Sequence, residues 1–149
     1  MKIALVADTN TLWGETGRDL LIELHVASFI ALYWGPWLQR ELGIALSPET
    51  LVEECGTTVG LPDPSDEPIA ACVRSCGATT LLTNNKRDFP PHLLPGISIL
   101  TLDEFLVGHA KHPQVQAALE VLRVKYKLSV EEFTARLNRA RLHKFSSLK

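Results

Sequence analysis

Four acidic residues stand where a parallel α/β sheet would gather charge. Asp8 closes an apolar run, and Glu41 lies on a stretch of helical character. Asp66 opens another such stretch behind a proline-rich loop, and Asp88 sits in a loop after a β-branched run. Carboxylates held a few ångströms apart repel and raise each other's pKa. Hard divalent cations such as Mg²⁺ or Mn²⁺ remove that conflict and prefer oxygen ligands. Such ions can orient and activate a water and stabilise the leaving oxygen of a phosphodiester, without a nucleophilic side chain. Each acid has a plainer alternative. An Asp after a strand commonly caps a helix or holds a turn, and Asp66 in Pro64-Ser65-Asp66-Glu67-Pro68 is a natural N-cap on its own. The metal-site expectation therefore lies in their joint placement at the carboxyl ends of parallel strands, where open α/β sheets bind ligands.

The elements that must position them are legible in outline. Lys2–Ala7 is a continuous apolar run, the pattern of a central parallel strand covered on both faces. A helix is expected over about Arg18–Phe29, a short strand over Ile30–Trp34, and a helix over Trp37–Leu46 opened by Pro36. A further short helix is expected over Thr50–Cys55, then a loop with two prolines. The helix Asp66–Cys76 should stop at Gly77, and strands should follow at Thr79–Thr83 and Ile97–Thr101. A helix from Leu102 to about His109 closes the unit. The alternation predicts an α/β fold, a three-layer α/β/α arrangement around a mostly parallel sheet. After His112-Pro113 the character changes. Val115, Leu119, Leu122 and Tyr126 make a helical stripe, and Ser129-Val130-Glu131-Glu132 is a capping box for a helix expected to run to about Lys144. Residues 1–110 thus read as the main unit and 111–149 as a basic helical extension.

Composition bounds the partners. The 149 residues carry a net charge of −2, but the charge is unevenly distributed. Residues 1–108 hold 6 Lys and Arg against 14 Asp and Glu; residues 109–149 hold 9 against 3. An acidic body with a basic tail suits cation binding in one place and a polyanion in another; a solvated helix face explains the tail equally well. Arg136, Arg139 and Lys144 with Arg141 would form a cationic helix face able to meet phosphates, with an acidic protein segment as the other possible partner. Trp13, following the Asp8 loop, is the best placed of three tryptophans for a surface role; core packing is the commoner fate. Three cysteines without framework spacing argue against a disulfide scaffold and for buried thiols in a reducing compartment. The five histidines show no zinc spacing relative to cysteine. The opening MKIALVADTNTLW reads as a strand rather than a secretory signal, and no run reaches the ~18 apolar residues of a membrane span. A soluble, cytoplasmic protein is expected.

The segment LPDPSDEPIAACVRSCGATTLLTNNKRDFP resembles the second half of bacterial PIN domains. The matching features are Asp66-Glu67-Pro68-Ile69-Ala70, the pair Gly77-Ala78, and the loop Thr83-Asn84-Asn85-Lys86-Arg87-Asp88-Phe89. Asp8-Thr9-Asn10 is similar to the family's Asp-x-Asn motif, and Trp37–Leu42 to its middle helix. The similarity spans about residues 3–106. It implies a PIN-like fold and a VapC-like toxin of a toxin–antitoxin pair. Such a toxin would be an Mg²⁺- or Mn²⁺-dependent endoribonuclease, often dimeric, restrained by a cognate antitoxin. By the same resemblance Asp8, Glu41, Asp66 and Asp88 are the catalytic acids, with Asp8, Asp66 and Asp88 on the metal. Asn10 and Thr83 support the site, and Asn85 orients water or substrate or shares the fourth acid position with Asp88. The chain departs from the pattern at Pro68, at Ser65, and in the short span between Glu41 and Asp63. These departures motivate an alternative, a PIN-like RNA- or protein-binding module without turnover. A haloacid-dehalogenase-type phosphotransferase also begins with Asp after an apolar strand, but it needs a second Asp where Asn10 stands.

Overall fold

Strand β1 (Ile3–Ala7) is the axis of the molecule. It pairs in parallel with β2 (Ile30–Tyr33) on one side, Ile3 opposite Ile30, and with β3 (Thr80–Leu82) on the other, Leu5 opposite Thr80. Strand β4 (Ser98–Leu100) pairs in parallel with β3, so the sheet runs β2-β1-β3-β4 with every pair parallel. These relations come from a computed structural model that describes residues 2–53 and 58–148. Leu5, Val6 and Ala7 are fully buried, as are Leu81 and Leu82. Burial of successive residues, whose side chains alternate between faces, is what an unbroken apolar run signals.

Two helices follow β1: α1 (Thr9–Trp13) and α2 (Glu15–Val26). Helix α3 (Pro36–Leu42) follows β2, and α4 (Glu67–Cys76) leads into β3. From β1 the chain moves one way to β2; from β2 it crosses back over β1 to β3. Right-handed crossovers in opposite directions put α1–α2 and α3–α4 on opposite faces, an arrangement compatible with three layers. The chain leaves β1 toward β2 and leaves β3 toward β4. The carboxyl ends of β1 and β3 therefore form a topological switch point, where such sheets open a crevice.

Helix α5 (Leu102–Gly108) begins with a capping box in which the Thr101 hydroxyl accepts from Glu104 N and the Glu104 side chain accepts from Thr101 N. Helices α6 (Pro113–Tyr126), α7 (Val130–Arg139) and α8 (His143–Ser146) complete the chain. Helix α6 packs on α2, and α8 packs on both α5 and α7. Val115, Leu119, Leu122, Phe133, Leu137, Leu142 and Phe145 join the same hydrophobic cluster as the sheet. The basic helices after residue 110 thus share the core of the sheet. Polar contacts fasten them. Tyr126 donates to Asp19, Lys125 pairs with Glu23, and Asp103 accepts from the backbone N–H groups of Lys144 and Phe145.

Three elements differ from the sequence expectation. The helix expected to reach Leu46 stops at Leu42, because Gly43 takes a left-handed conformation at φ 68°. In place of a helix over Thr50–Cys55 there is one turn of 3₁₀ helix (Pro48–Thr50) and then extended chain. Trp34 N donates to Thr50 O and Val52 N donates to Trp34 O, so this stretch is drawn onto the end of β2; Glu54 and Cys55 lie outside the described residues. The capping-box helix ends at Arg139, not Lys144. Arg141 adopts φ 66°, and Leu142 N bonds back to Leu137 O, turning Leu142 into the core. Cys72 is buried and Cys76 half-buried, and neither is in a disulfide among the described residues. Among the described residues no helix is long and apolar enough to cross a membrane.

Candidate functional site

Asp8 follows β1 directly and is 6% exposed. The plain alternative for this residue holds in part: its Oδ1 accepts from Thr11 N at 2.9 Å and caps α1. Its Oδ2 accepts from the Thr83 hydroxyl at 2.6 Å. Thr83 is fully buried behind β3, and its Oγ1 also accepts from Asn85 N at 3.0 Å. Asn85 Nδ2 donates to Asp88 Oδ2 at 2.7 Å. A continuous hydrogen-bonded chain, Asp8–Thr83–Asn85–Asp88, therefore crosses the switch point from the end of β1 to the loop after β3. Each carboxylate oxygen has two acceptor sites, so the bonds that fix Asp8 leave it capacity for a ligand.

Glu41 reaches the same edge from α3 and accepts a hydrogen bond from the Thr9 hydroxyl. Asp66 approaches at the start of α4. Its carboxylate makes no helix-capping bond; Asp63 caps the local turn instead, accepting from Ser65 N at 2.9 Å and Ser65 Oγ at 2.8 Å. The N-cap explanation of Asp66 is thereby taken up by Asp63, which the sequence reading did not single out although Asp-Pro-Ser is a recognisable turn signal. Next to it, Glu67 accepts from the N–H groups of Val59, Gly60 and Leu61 and anchors the approaching loop. Asn10 is exposed on α1 and lines a cleft.

Electrostatics link these groups. Burial, then the charges of Asp63, Asp88, Asp8 and Glu41, push the Asp66 carboxyl up to about 6. Burial also raises Asp8, against the lowering effect of its Thr83 and Thr11 hydrogen bonds, and the charge of Asp88 adds to the rise. The charges of Asp8, Glu41 and Asp88 are thus all felt at Asp66. Among the described residues, no three His, Cys, Asp or Glu side chains are gathered tightly enough to hold a metal ion as they stand. Bare carboxylates lower their repulsion by standing apart and by taking separate hydrogen-bond donors. The donor set is nonetheless the hard oxygen set that suits Mg²⁺ or Mn²⁺.

The four basic candidates do not share one helix face. The Arg136 guanidinium lies 3.8 Å from the centre of the Tyr126 ring, and its Nε donates to Thr16 Oγ1 at 2.9 Å. It also pairs with Glu15 at 3.7 Å, so it holds α7 onto α2. Arg139, Arg141 and Lys144 are exposed, on the end of α7, the following turn and α8 respectively.

Comparison with family models, with curated proteins and with solved structures found no match.

Thr83 is the joint of the hydrogen-bonded chain. Thr83→Ala would leave Asp8 Oδ2 and the Asn85 N–H each without a partner, a cost of roughly 1–3 kcal/mol. Thermal melts should show a fall of roughly 2–10 °C. Thr83→Ser should melt near the wild type, and a Thr83→Ala protein as stable as the wild type would dismiss the chain as incidental.

Proposed function

We propose that the chain is a PIN-like, metal-dependent ribonuclease acting on single phosphodiester bonds, with the switch-point acids as its centre. What carries this proposal is the hydrogen-bonded chain that joins Asp8 to Asp88 across the switch point, beside an Asp66 whose proton affinity is raised by burial and then by the charges of Asp63, Asp88, Asp8 and Glu41. Carboxylates whose charges reach one another at the switch point of a parallel sheet repel, and a cation would relieve that cost. Asp8, Asp66 and Asp88 would hold Mg²⁺ or Mn²⁺, with Glu41 close by. Bound there, the cation supplies an activated water and charge neutralisation at the leaving oxygen.

The chain's own residues have definable parts. Thr83 fixes the rotamer of Asp8 through its 2.6 Å bond, and the α1 N–H of Thr11 holds the other oxygen. Asn85 holds Asp88 and offers its amide near the reacting region. Asn10 borders the cleft through which an RNA strand would enter. The resemblance of residues 60–90 to bacterial PIN domains supports the same function and extends it to a toxin restrained by an antitoxin, with a homodimer as its working form. The spread of the acids favours a second reading, a module that binds RNA without cutting it.

Incubation of the full chain with a 5′-labelled single-stranded RNA separates the two. Cleavage is expected with Mn²⁺ or Mg²⁺ and should stop in EDTA and return when the metal is restored. Binding without turnover in either metal would leave the second reading.

A further inference from the structure

A cleft of about 250 Å³ lies in the seam between the body and the C-terminal helices. Its walls include Trp13 and Asn10 from α1, Asn84 from the loop after β3, and Arg139 and Arg141 from the end of α7. Asn10 is two residues from Asp8, Thr11 N donates to Asp8, and Asn84 stands between Thr83 and Asn85, so the cleft neighbours the candidate acids along the chain without being lined by them. Its volume falls below the ~300–1,000 Å³ of drug-sized pockets, on the scale of one nucleotide rather than a larger ligand.

Three independent features give the cleft a chemistry. Trp13 is 72% exposed, whereas Trp34 and Trp37 are in the core. A large aromatic left in water on a wall of a cleft is a stacking surface without a partner. The guanidinium groups of Arg139 and Arg141 make no hydrogen bond or ion pair among the described residues, while that of the neighbouring Arg136 is occupied by Tyr126, Thr16 and Glu15. Asp103, the acid on the same wall, already accepts from the N–H groups of Lys144 and Phe145. Finally, Arg141 holds φ 66°, a conformation that side chains rarely adopt. It is fixed by Arg141 N donating to Asn138 O and by burial of Leu142. The same helix-ending turn occurs at Lys127 after α6; at Arg141 it places the residue on the cleft wall.

Two unpaired guanidinium groups and an exposed indole around one nucleotide-sized space are complementary to an anion bearing a flat ring. We infer that this seam is a nucleotide subsite for single-stranded RNA: the base stacks on Trp13 and flanking phosphates meet Arg139 and Arg141. Asn10 and Asn84 line the same cleft. A second groove carries the track onward past Arg141 to Lys144. The inference deepens the ribonuclease proposal and rests on it for the direction of the strand. A double helix would keep its bases stacked and paired, unavailable to Trp13.

The test reads binding apart from chemistry. The full chain is titrated in EDTA with a single-stranded RNA hexanucleotide while indole fluorescence is followed. Quenching is expected in the wild type and not in Trp13→Ala, with Trp13→Tyr retaining affinity. Arg139→Gln/Arg141→Gln should weaken binding at least about tenfold, since stacking and phosphate contacts act together. It should also lower the slope of log K against log salt by about 1.4, the loss of two phosphate contacts on a single strand. Unchanged melting temperatures show that the variants fold. Equal affinity and equal salt slope in the double variant would overturn the subsite. So would equal quenching by a blunt duplex, equal competition by polyglutamate, or competition by a free nucleoside monophosphate at parity with the hexamer. Quenching without metal-dependent cleavage leaves the subsite standing and removes the nuclease proposal. Cleavage with an unchanged KM in the double variant does the reverse.

Discussion

Asp8→Asn should reduce metal-dependent RNA cleavage by about 10³-fold or more, roughly 4 kcal/mol of transition-state stabilisation, while leaving the fold intact. The expected separation of activity from stability follows from the geometry. Asn is isosteric with Asp, and its oxygen can still accept from Thr11 N to cap α1. The group facing Thr83 becomes an amide, and the Thr83 hydroxyl, already an acceptor from Asn85 N, can accept from it in turn. What disappears is the buried negative charge, the only property a cation needs. Single-turnover cleavage with circular dichroism on the same samples checks both halves. A variant that cuts at the wild-type rate, in preparations purified free of contaminating nuclease, would remove Asp8 from the reaction.

The parts of this site differ in how far the sequence exposes them. Strands β1 and β3 are legible because residues buried on both faces must be apolar without a break, and Asp8 and Asp88 are then located by what the strands end in. Gly77 and the Ser129–Glu132 capping box are local signals, and both act where they stand in the sequence. Helix α1 has no comparable signature. Five residues are too few for periodicity, and only its Asp8 cap marks it. Tertiary contacts decide the remainder. Leu51 is extended because Trp34 offers it a strand edge. Helix α7 ends without glycine because Leu142 and Phe145 are pulled into the core, leaving Arg141 to take the left-handed turn. That same turn makes a cleft wall of residues that the sequence suggests as one basic helix face. The division of labour between Asp63 and Asp66 is likewise a matter of which carboxylate the turn captures.

Cation binding should invert the ranking of wild type and Asp66→Asn in thermal stability. In the metal-free protein, Asp66 has a carboxyl pushed up to about 6 by burial and by the charges of Asp63, Asp88, Asp8 and Glu41. A raised carboxyl binds its proton more tightly in the folded chain than in the unfolded one. Its contribution is therefore most favourable at low pH and declines as pH rises from about 4 through about 6. Two pKa units correspond to about 3 kcal/mol, which solvent screening of this partly exposed group reduces to about 1 kcal/mol. Asp66→Asn should then melt roughly 2–4 °C above the wild type at pH 7 and level with it near pH 4. The comparison must be a difference between the two proteins. Burial lowers His109, with the charge of His112 adding to the effect, so His109 gives the opposite slope as its unfolded form gains a proton below about 6.5, in both proteins alike. Asp63, Glu67 and Glu104 are lowered by their hydrogen bonds and act below about 4.5. Adding Mn²⁺ at about 100 times its Kd should stabilise the wild type by about 2.7 kcal/mol. The same ion should leave Asp66→Asn nearly unmoved, because the mutation removes one of its proposed ligands. At pH 7 the order of melting temperatures then reverses, and the gain should shrink toward pH 5 as protons compete for the same oxygens. An equal shift in both proteins, or none in either, would mean that the carboxylates at the ends of β1 and β3 repel one another without a cation to join them.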